Sequence, residues 1–222
     1  MKLQVFTFKN LGGIMAYQKN QFFTLLTYIL LLSLGTILSI MSITGSAYFL
    51  TITVGAIVAT GIMIYLVKLS GPNSFEKKSN LNHDLQWIIL GTVGAVVLQY
   101  VIGFADKLIF HASISSQNTI GLLLMVKEYP YYFLYVMIAA PIMEEIIFRR
   151  VFFANLIKPM NVYLAAIISA CLFAFMHQDT RFLVYVAMGL WFSFIYYKSK
   201  NIYVSAGSHI IMNAFVLTMG IM

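Results

Sequence analysis

The chain has 222 residues, 61% hydrophobic and 9% charged, with a mean hydropathy of +0.87 and a formal net charge of +7. Soluble domains carry about 25% charged residues, so this composition excludes a water-soluble globule; the basic residues are spread between apolar blocks, as loop charges facing anionic headgroups are, which excludes a nucleic-acid surface. The single cysteine, Cys171, excludes an internal disulfide framework and a zinc cluster built on thiolates.

A membrane-spanning helix needs ~20 mostly apolar residues. Seven candidate spans follow one another, at about 22–41, 48–69, 87–104, 131–153, 161–177, 181–197 and 202–221. The first follows Lys2, Lys9 and Lys19, has no small-residue cleavage site after a short apolar core, and reads as a retained span. The loop 71–86 is the most water-loving stretch, and the connection 105–130 is predicted to hold a short interfacial helix near Ile120–Lys127. No repeat or low-complexity tract interrupts the chain. The predicted fold class is therefore all-α: a polytopic transmembrane helix bundle of about seven spans, forming one membrane domain over 1–222.

The positive-inside rule orients it. With a cytoplasmic N-terminus, Lys2, Lys9, Lys19, Lys68, Lys77, Lys78, Arg149, Arg150, Lys158, Lys198 and Lys200 lie inside, and Lys107, Lys127 and Arg181 lie outside. Seven spans then put the C-terminus outside.

Ionisable groups within a span cost ~2.5–3.5 kcal/mol each on insertion scales and need a reason to be there. The fourth span reads Pro141-Ile-Met-Glu144-Glu145-Ile-Ile-Phe-Arg149-Arg150-Val-Phe-Phe153. Glu145 and Arg149 are one helical turn apart and can pair, while Glu144 is turned ~100° away. One carboxylate is thus predicted to be neutralised and the other to stay available. Pro141 removes a backbone hydrogen bond just before the pair and predicts a local kink. The fifth span places Phe173 and His177 one turn apart, and the seventh does the same with His209 and Asn213. Taken singly, a histidine at a helix end is an ordinary hydrogen-bonding residue, and an asparagine in a span is helix–helix glue. Together on the last four spans, these groups are stabilised most simply by facing one another in a shared hydrated cavity. At ~1.5 Å per residue, His209 lies ~12 Å from Asn201 and Glu144 ~15–20 Å from the inner end, whereas His177 lies ~24 Å from Asn161 and so deeper.

A glutamate with two histidines is a water-activating set. The carboxylate can take a proton from water, the histidines can ligate a metal or hydrogen-bond an oxyanion, and Asn213 is a neutral oxyanion donor. Ser205 and Ser208, beside His209, read as packing residues, and Cys171 does not share a face with His177.

These three motifs, Glu144-Glu145-x-x-x-Arg149, Phe173-x-x-x-His177 and His209-x-x-x-Asn213, in this order on late spans, resemble the CPBP intramembrane proteases. That group includes the CAAX prenyl endopeptidases of the Rce1 type, the bacteriocin-processing and immunity proteins, and the Abi membrane proteins. The resemblance covers about 130–213 and implies an all-helical membrane protease. It implies that Glu144 activates water with Glu145 and Arg149 in support, that His177 and His209 bind water, a metal or the oxyanion, that Asn213 stabilises the oxyanion, and that Phe173 shapes the pocket. A zinc site on Glu144, His177 and His209 with an open position and a metal-free glutamate mechanism both stay open. The short chain, rich in lysine and isoleucine, reads as bacterial and as a multi-pass protein of the cell membrane. The expected partners are the bilayer and a peptide or membrane-protein substrate, such as a bacteriocin or pheromone precursor, with no nucleic acid. The competing readings are a non-catalytic membrane scaffold or immunity protein and a small proton- or metal-coupled transporter.

Overall fold

The computed structural model describes residues 8–73, 75–110 and 117–221; Lys2, used above for orientation, lies outside them. The described residues are helical almost throughout. In chain order the helices are α1 (Phe8–Ile40), α2 (Gly45–Ser70), α3 (Leu81–Phe110), α4 (Gln117–Glu128), the composite helix α5 (Pro130–Leu156), α6 (Val162–His177), α7 (Phe182–Ser199) and α8 (Ile202–Ile221). Six of them, α1, α2, α3, α5, α7 and α8, are long and apolar enough to cross a membrane. Helix α6 has 16 residues, ~24 Å of rise against a hydrocarbon core of ~30 Å, so the fifth predicted span is an apolar helix too short to cross unaided. Helix α4 is the short helix expected in the third connection.

Helix α1 packs along α2, α3 lies against α7 and α8, and α6 pairs with α7. Helix α5 threads the middle and touches α1, α2, α6, α7 and α8. The outer faces carry large apolar side chains, such as Phe22, Leu30, Val93 and Phe104, all more than half exposed. Small residues mark the helix–helix contacts: Ala56, Ala95, Ala165 and Ala170 are fully buried. A Cβ added to Gly189 on α7 would lie 2.7 Å from the Ala170 Cα on α6. In lipid there is little hydrophobic drive between helices, so close backbone approach and dispersion hold such pairs together.

Helix α5 explains how the sequence shapes the interior. Pro141 has no N–H to offer, and its ring crowds the carbonyl one turn back. The helix does not break there. It widens on both sides, with π-helical turns over Leu134–Ala139 and Glu145–Phe153 around a short α segment, Ala140–Glu144. The Ala140 N–H donates to the Tyr135 carbonyl and the Ala154 N–H to that of Arg149, five residues back in each case. Widened turns leave carbonyls to other donors. Asn213 Nδ2 reaches the Val136 carbonyl at 3.4 Å, and Ser169 Oγ donates to that of Phe148 at 2.5 Å. The predicted kink is thus a change of helical pitch flanking the acidic pair.

Candidate active site

Glu144 and Glu145 point to different places, as adjacent helical residues must. Glu145 has no exposed surface, and the Glu144 side chain is 18% exposed, in the wall of a cavity of about 370 Å³. Phe173, His177, His209 and Asn213 line that cavity too. Five of the seven residues singled out in the sequence therefore share one space, and Glu145 and Arg149 stand behind it. The extra depth expected for His177 does not separate it from the others. Phe173 spans the gap, its ring 4.5 Å from that of His177 and 6.1 Å from that of His209.

Behind the wall, Glu145 Oε2 lies 3.3 Å from Arg149 Nε, with both side chains fully buried. This contact is coulombic: Arg149 Nε, Nη1 and Nη2 make no hydrogen bond among the described residues, and the guanidinium sits 4.9 Å over the Phe173 ring. Glu145 does more than neutralise Arg149. Its Oε1 is 3.1 Å from His209 Nδ1, and its Oε2 accepts from Ser205 Oγ. Ser205 is thus a partner of the carboxylate, which corrects its reading as a packing residue. The i,i+4 spacing exposes the Glu145–Arg149 pair in the sequence, but nothing local joins Ser205 to a glutamate sixty residues away.

The two histidines are set in the same way. The Glu145 carboxylate, an acceptor, fixes the hydrogen of His209 on Nδ1. The ring stacks on Phe192 with centroids 4.5 Å apart, and its Nε2 faces Glu144 Oε2 at 3.9 Å. His177 Nδ1 is 2.8 Å from the Phe173 carbonyl, which likewise only accepts. In its neutral form each ring then carries its lone pair on Nε2. The His177 ring stacks on Tyr185, with centroids 4.0 Å apart, and Asn118 Nδ2 donates to the Tyr185 hydroxyl at 3.3 Å. The Asn118 N–H in turn donates to Asp179, in the α6–α7 turn, at 3.0 Å. Sequence reading missed Tyr185 and Asn118; both lie in stretches whose composition is unremarkable, and only the tertiary fold joins them to His177. Tyr28, Tyr132 and Tyr135 add hydroxyl-bearing rings to the wall.

Among the described residues, no group of three or more His, Cys, Asp or Glu side chains is placed to hold a metal ion. The donor set of Glu144, His177 and His209 does not meet that geometry as it stands.

From Glu144 the cavity extends toward Asn118, Thr119 and Arg181, at the end formed by α4 and the α6–α7 turn. The opposite, basic end is tied by the 71–80 loop, where Arg150 pairs with Glu76 at 3.1 Å and Tyr196 Oη donates to Glu76 at 2.8 Å.

Residues 127–215 match a family model, type II CAAX prenyl endopeptidase Rce1-like, and that stretch contains all seven motif residues. This segment, 127–215, is similar to the CAAX prenyl endopeptidases of the Rce1 type. The chain is 33% identical over 144 residues to a Bacillus subtilis (strain 168) protein named "Putative membrane peptidase YdiL", covering 64% of this chain and 59% of that protein. It is 27% identical over 184 residues to the "Membrane-embedded CAAX protease MroQ" of Staphylococcus aureus (strain USA300), covering 79% of this chain and 74% of that protein. The chain thus spans less than two thirds of the Bacillus protein's length. No solved structure matches it. The matched segment begins in the last turn of α4 and ends within α8, so α1, α2 and α3 lie outside it.

Proposed function

We propose that this chain is an intramembrane endopeptidase in which Glu144 activates the water that attacks a peptide bond. The observation that carries this reading is the position of Glu144: a partly exposed carboxylate on a cavity wall, 3.9 Å from the Nε2 of a histidine whose other nitrogen is held by a buried glutamate. A water in that gap donates one hydrogen to Glu144 and the other to the His209 lone pair, as bridged polar contacts of this length allow. Glu144 takes the proton as oxygen attacks the carbonyl carbon. Asn213 Nδ2 donates to the developing oxyanion. His177 Nε2 accepts from a backbone N–H of the substrate and so orients the scissile bond. The protonated Glu144 then delivers its proton to the departing amine as the C–N bond breaks, and the new carboxylic acid passes its remaining proton to that amine, leaving a carboxylate and an ammonium. No step here passes through a metal.

The substrate in this reading is a small peptide precursor or membrane-associated protein, of the kind processed in bacteriocin or pheromone maturation and self-immunity. The cavity walls suit such an amphipathic chain: Leu32, Val216 and Leu217 offer apolar contact, and Gln99, Asn118 and Arg181 offer polar contact. With the N-terminus cytoplasmic, the substrate reaches Glu144 from the outer half of the membrane. The names of the two relatives support proteolysis. The test is Glu144→Gln in purified full-length protein against a quenched peptide. Loss of the base is expected to lower turnover by 10²–10⁴-fold with the fold intact; a folded variant that cleaves at the wild-type rate excludes Glu144 as the base.

A further inference from the structure

At the end opposite the Glu144 cavity lies a second cavity, of about 260 Å³, whose wall includes Lys68, Lys77, Arg150 and Lys200 with Glu76 as its one carboxylate. Arg150 and Glu76 already serve each other: Arg150 Nε is 3.1 Å from Glu76 Oε1, and Arg150 Nη2 donates to the Gly71 carbonyl. Asn73 N–H donates to Glu76 Oε2 at 2.9 Å, and Tyr196 Oη to its Oε1 at 2.8 Å, so the Glu76 carboxylate is fully engaged. The three lysines have no such partner: among the described residues, no carboxylate lies within ion-pair distance of Lys68, Lys77 or Lys200.

The fold brings these cations together rather than letting them spread. The Lys77 N–H donates to the Lys200 carbonyl at 3.0 Å, locking the 71–80 loop to the α7–α8 turn. The Lys200 ammonium is held over the rings of Tyr197 and Phe75, at 3.7 and 4.3 Å from their centroids. Burial, and then the charges of Lys77 and Lys198, hold this ammonium below the usual lysine range. Like charges crowded at a partly dry rim are a strained arrangement that an anion relieves. Helix α8 starts at Ile202 in the same wall and adds the positive end of its dipole. The rim also lies beside lipid-facing surface, since Leu69, Tyr65 and Tyr203 are 56%, 61% and 55% exposed. Tyrosines at such a level are the usual residents of the headgroup region.

We propose that this cavity binds the phosphodiester headgroup of an anionic phospholipid. A phosphodiester carries one negative charge on two free oxygens, which Lys77 and Lys200 can share, with Lys68 at the margin. The acyl chains then lie along the exposed apolar face of α2 and the start of α8. A basic pocket between helix ends is the recurring architecture for such headgroups. The site is independent of the protease reading, which it neither needs nor supports.

The test titrates purified full-length protein in detergent with short-chain phosphatidylglycerol, short-chain phosphatidylcholine and inorganic phosphate, following occupancy by native mass spectrometry. Phosphatidylglycerol is expected to bind in preference to phosphatidylcholine. Lys77→Gln/Lys200→Gln is expected to weaken that binding by about fivefold for each lysine, while Lys107→Gln/Lys127→Gln, at the other end, leaves it unchanged. The lipid comparison on wild-type protein stands even where a variant folds poorly. Equal binding of the two lipids overturns the proposal, and so does a folded double variant with wild-type preference or an equal loss in the Lys107/Lys127 control. Inorganic phosphate that displaces the lipid at comparable affinity assigns the site to a free anion and overturns the lipid.

Discussion

Glu145 holds His209 from behind: its Oε1 meets His209 Nδ1 at 3.1 Å, and the carboxylate itself has no exposed surface. The same carboxylate faces Arg149 and accepts from Ser205, so three partners depend on one buried charge. Removing one member of a buried pair leaves the other charge uncompensated, at a cost of about 3–5 kcal/mol. Glu145→Ala is therefore expected to abolish stable folding or lower the melting temperature sharply in detergent. Glu144→Gln, which changes a partly exposed group, is expected to melt close to wild type. Equal melting temperatures for the two variants would remove the division of labour between the glutamates.

Ser205→Ala separates positioning from chemistry. The lost hydrogen bond to a charged acceptor is worth about 1.5–3 kcal/mol, so a lower melting temperature is expected. Glu145 then relaxes its hold on the His209 tautomer, which predicts a lower kcat with little change in KM. Ser205→Thr, which keeps a hydroxyl, is expected to restore much of both. A variant that loses stability with an unchanged kcat would make Ser205 a structural residue only.

The Glu145–Arg149 pair was legible because one helix carries both residues at i,i+4, and the apolar runs around Glu144 marked it as costly and therefore purposeful. The motif histidines were legible for the same reason. What the sequence left dark was long-range. Asn118 supports Tyr185 and Tyr185 supports His177 only because α4 folds back onto the α6–α7 turn. The ties at the basic end were hidden as well: Glu76 and Asn73, which help form them, sit in a loop whose composition reads simply as water-loving. Pro141 signalled disturbance, but the choice between a kink and a widened helix rests on side chains from α6 and α8 that take up the freed carbonyls.

Gly189 tests the packing that brings α6, and with it His177, against the cavity. A side chain there meets backbone, 2.7 Å from the Ala170 Cα and 3.2 Å from the Ala170 carbonyl oxygen, and backbone cannot swing aside. Gly189→Val is expected to push α6 from α7 and destabilise the protein by about 1–3 kcal/mol, as overpacking does. Gly61→Ala, at a helical position with no atom within 4 Å of an added Cβ, serves as the control and is expected to be neutral or slightly stabilising. Thermal unfolding of the two variants in the same detergent makes the comparison, and equal behaviour would contradict the close α6–α7 approach.

Asn213 and metal removal probe the two ways an oxyanion can be stabilised at this site. In the metal-free mechanism, Asn213 Nδ2 is the neutral donor, and loss of one such donor typically lowers kcat by about 10²–10³-fold with little change in KM. Asn213→Asp keeps the shape and replaces the amide donor, so it is expected to show that loss at neutral pH. The wild-type enzyme, dialysed against chelator and shown metal-free by elemental analysis, is expected to keep its turnover. Activity that disappears on dialysis and returns with stoichiometric zinc would require a rearrangement of Glu144, His177 and His209 into a ligand set, and the Asn213 effect would then fall on substrate binding rather than on kcat.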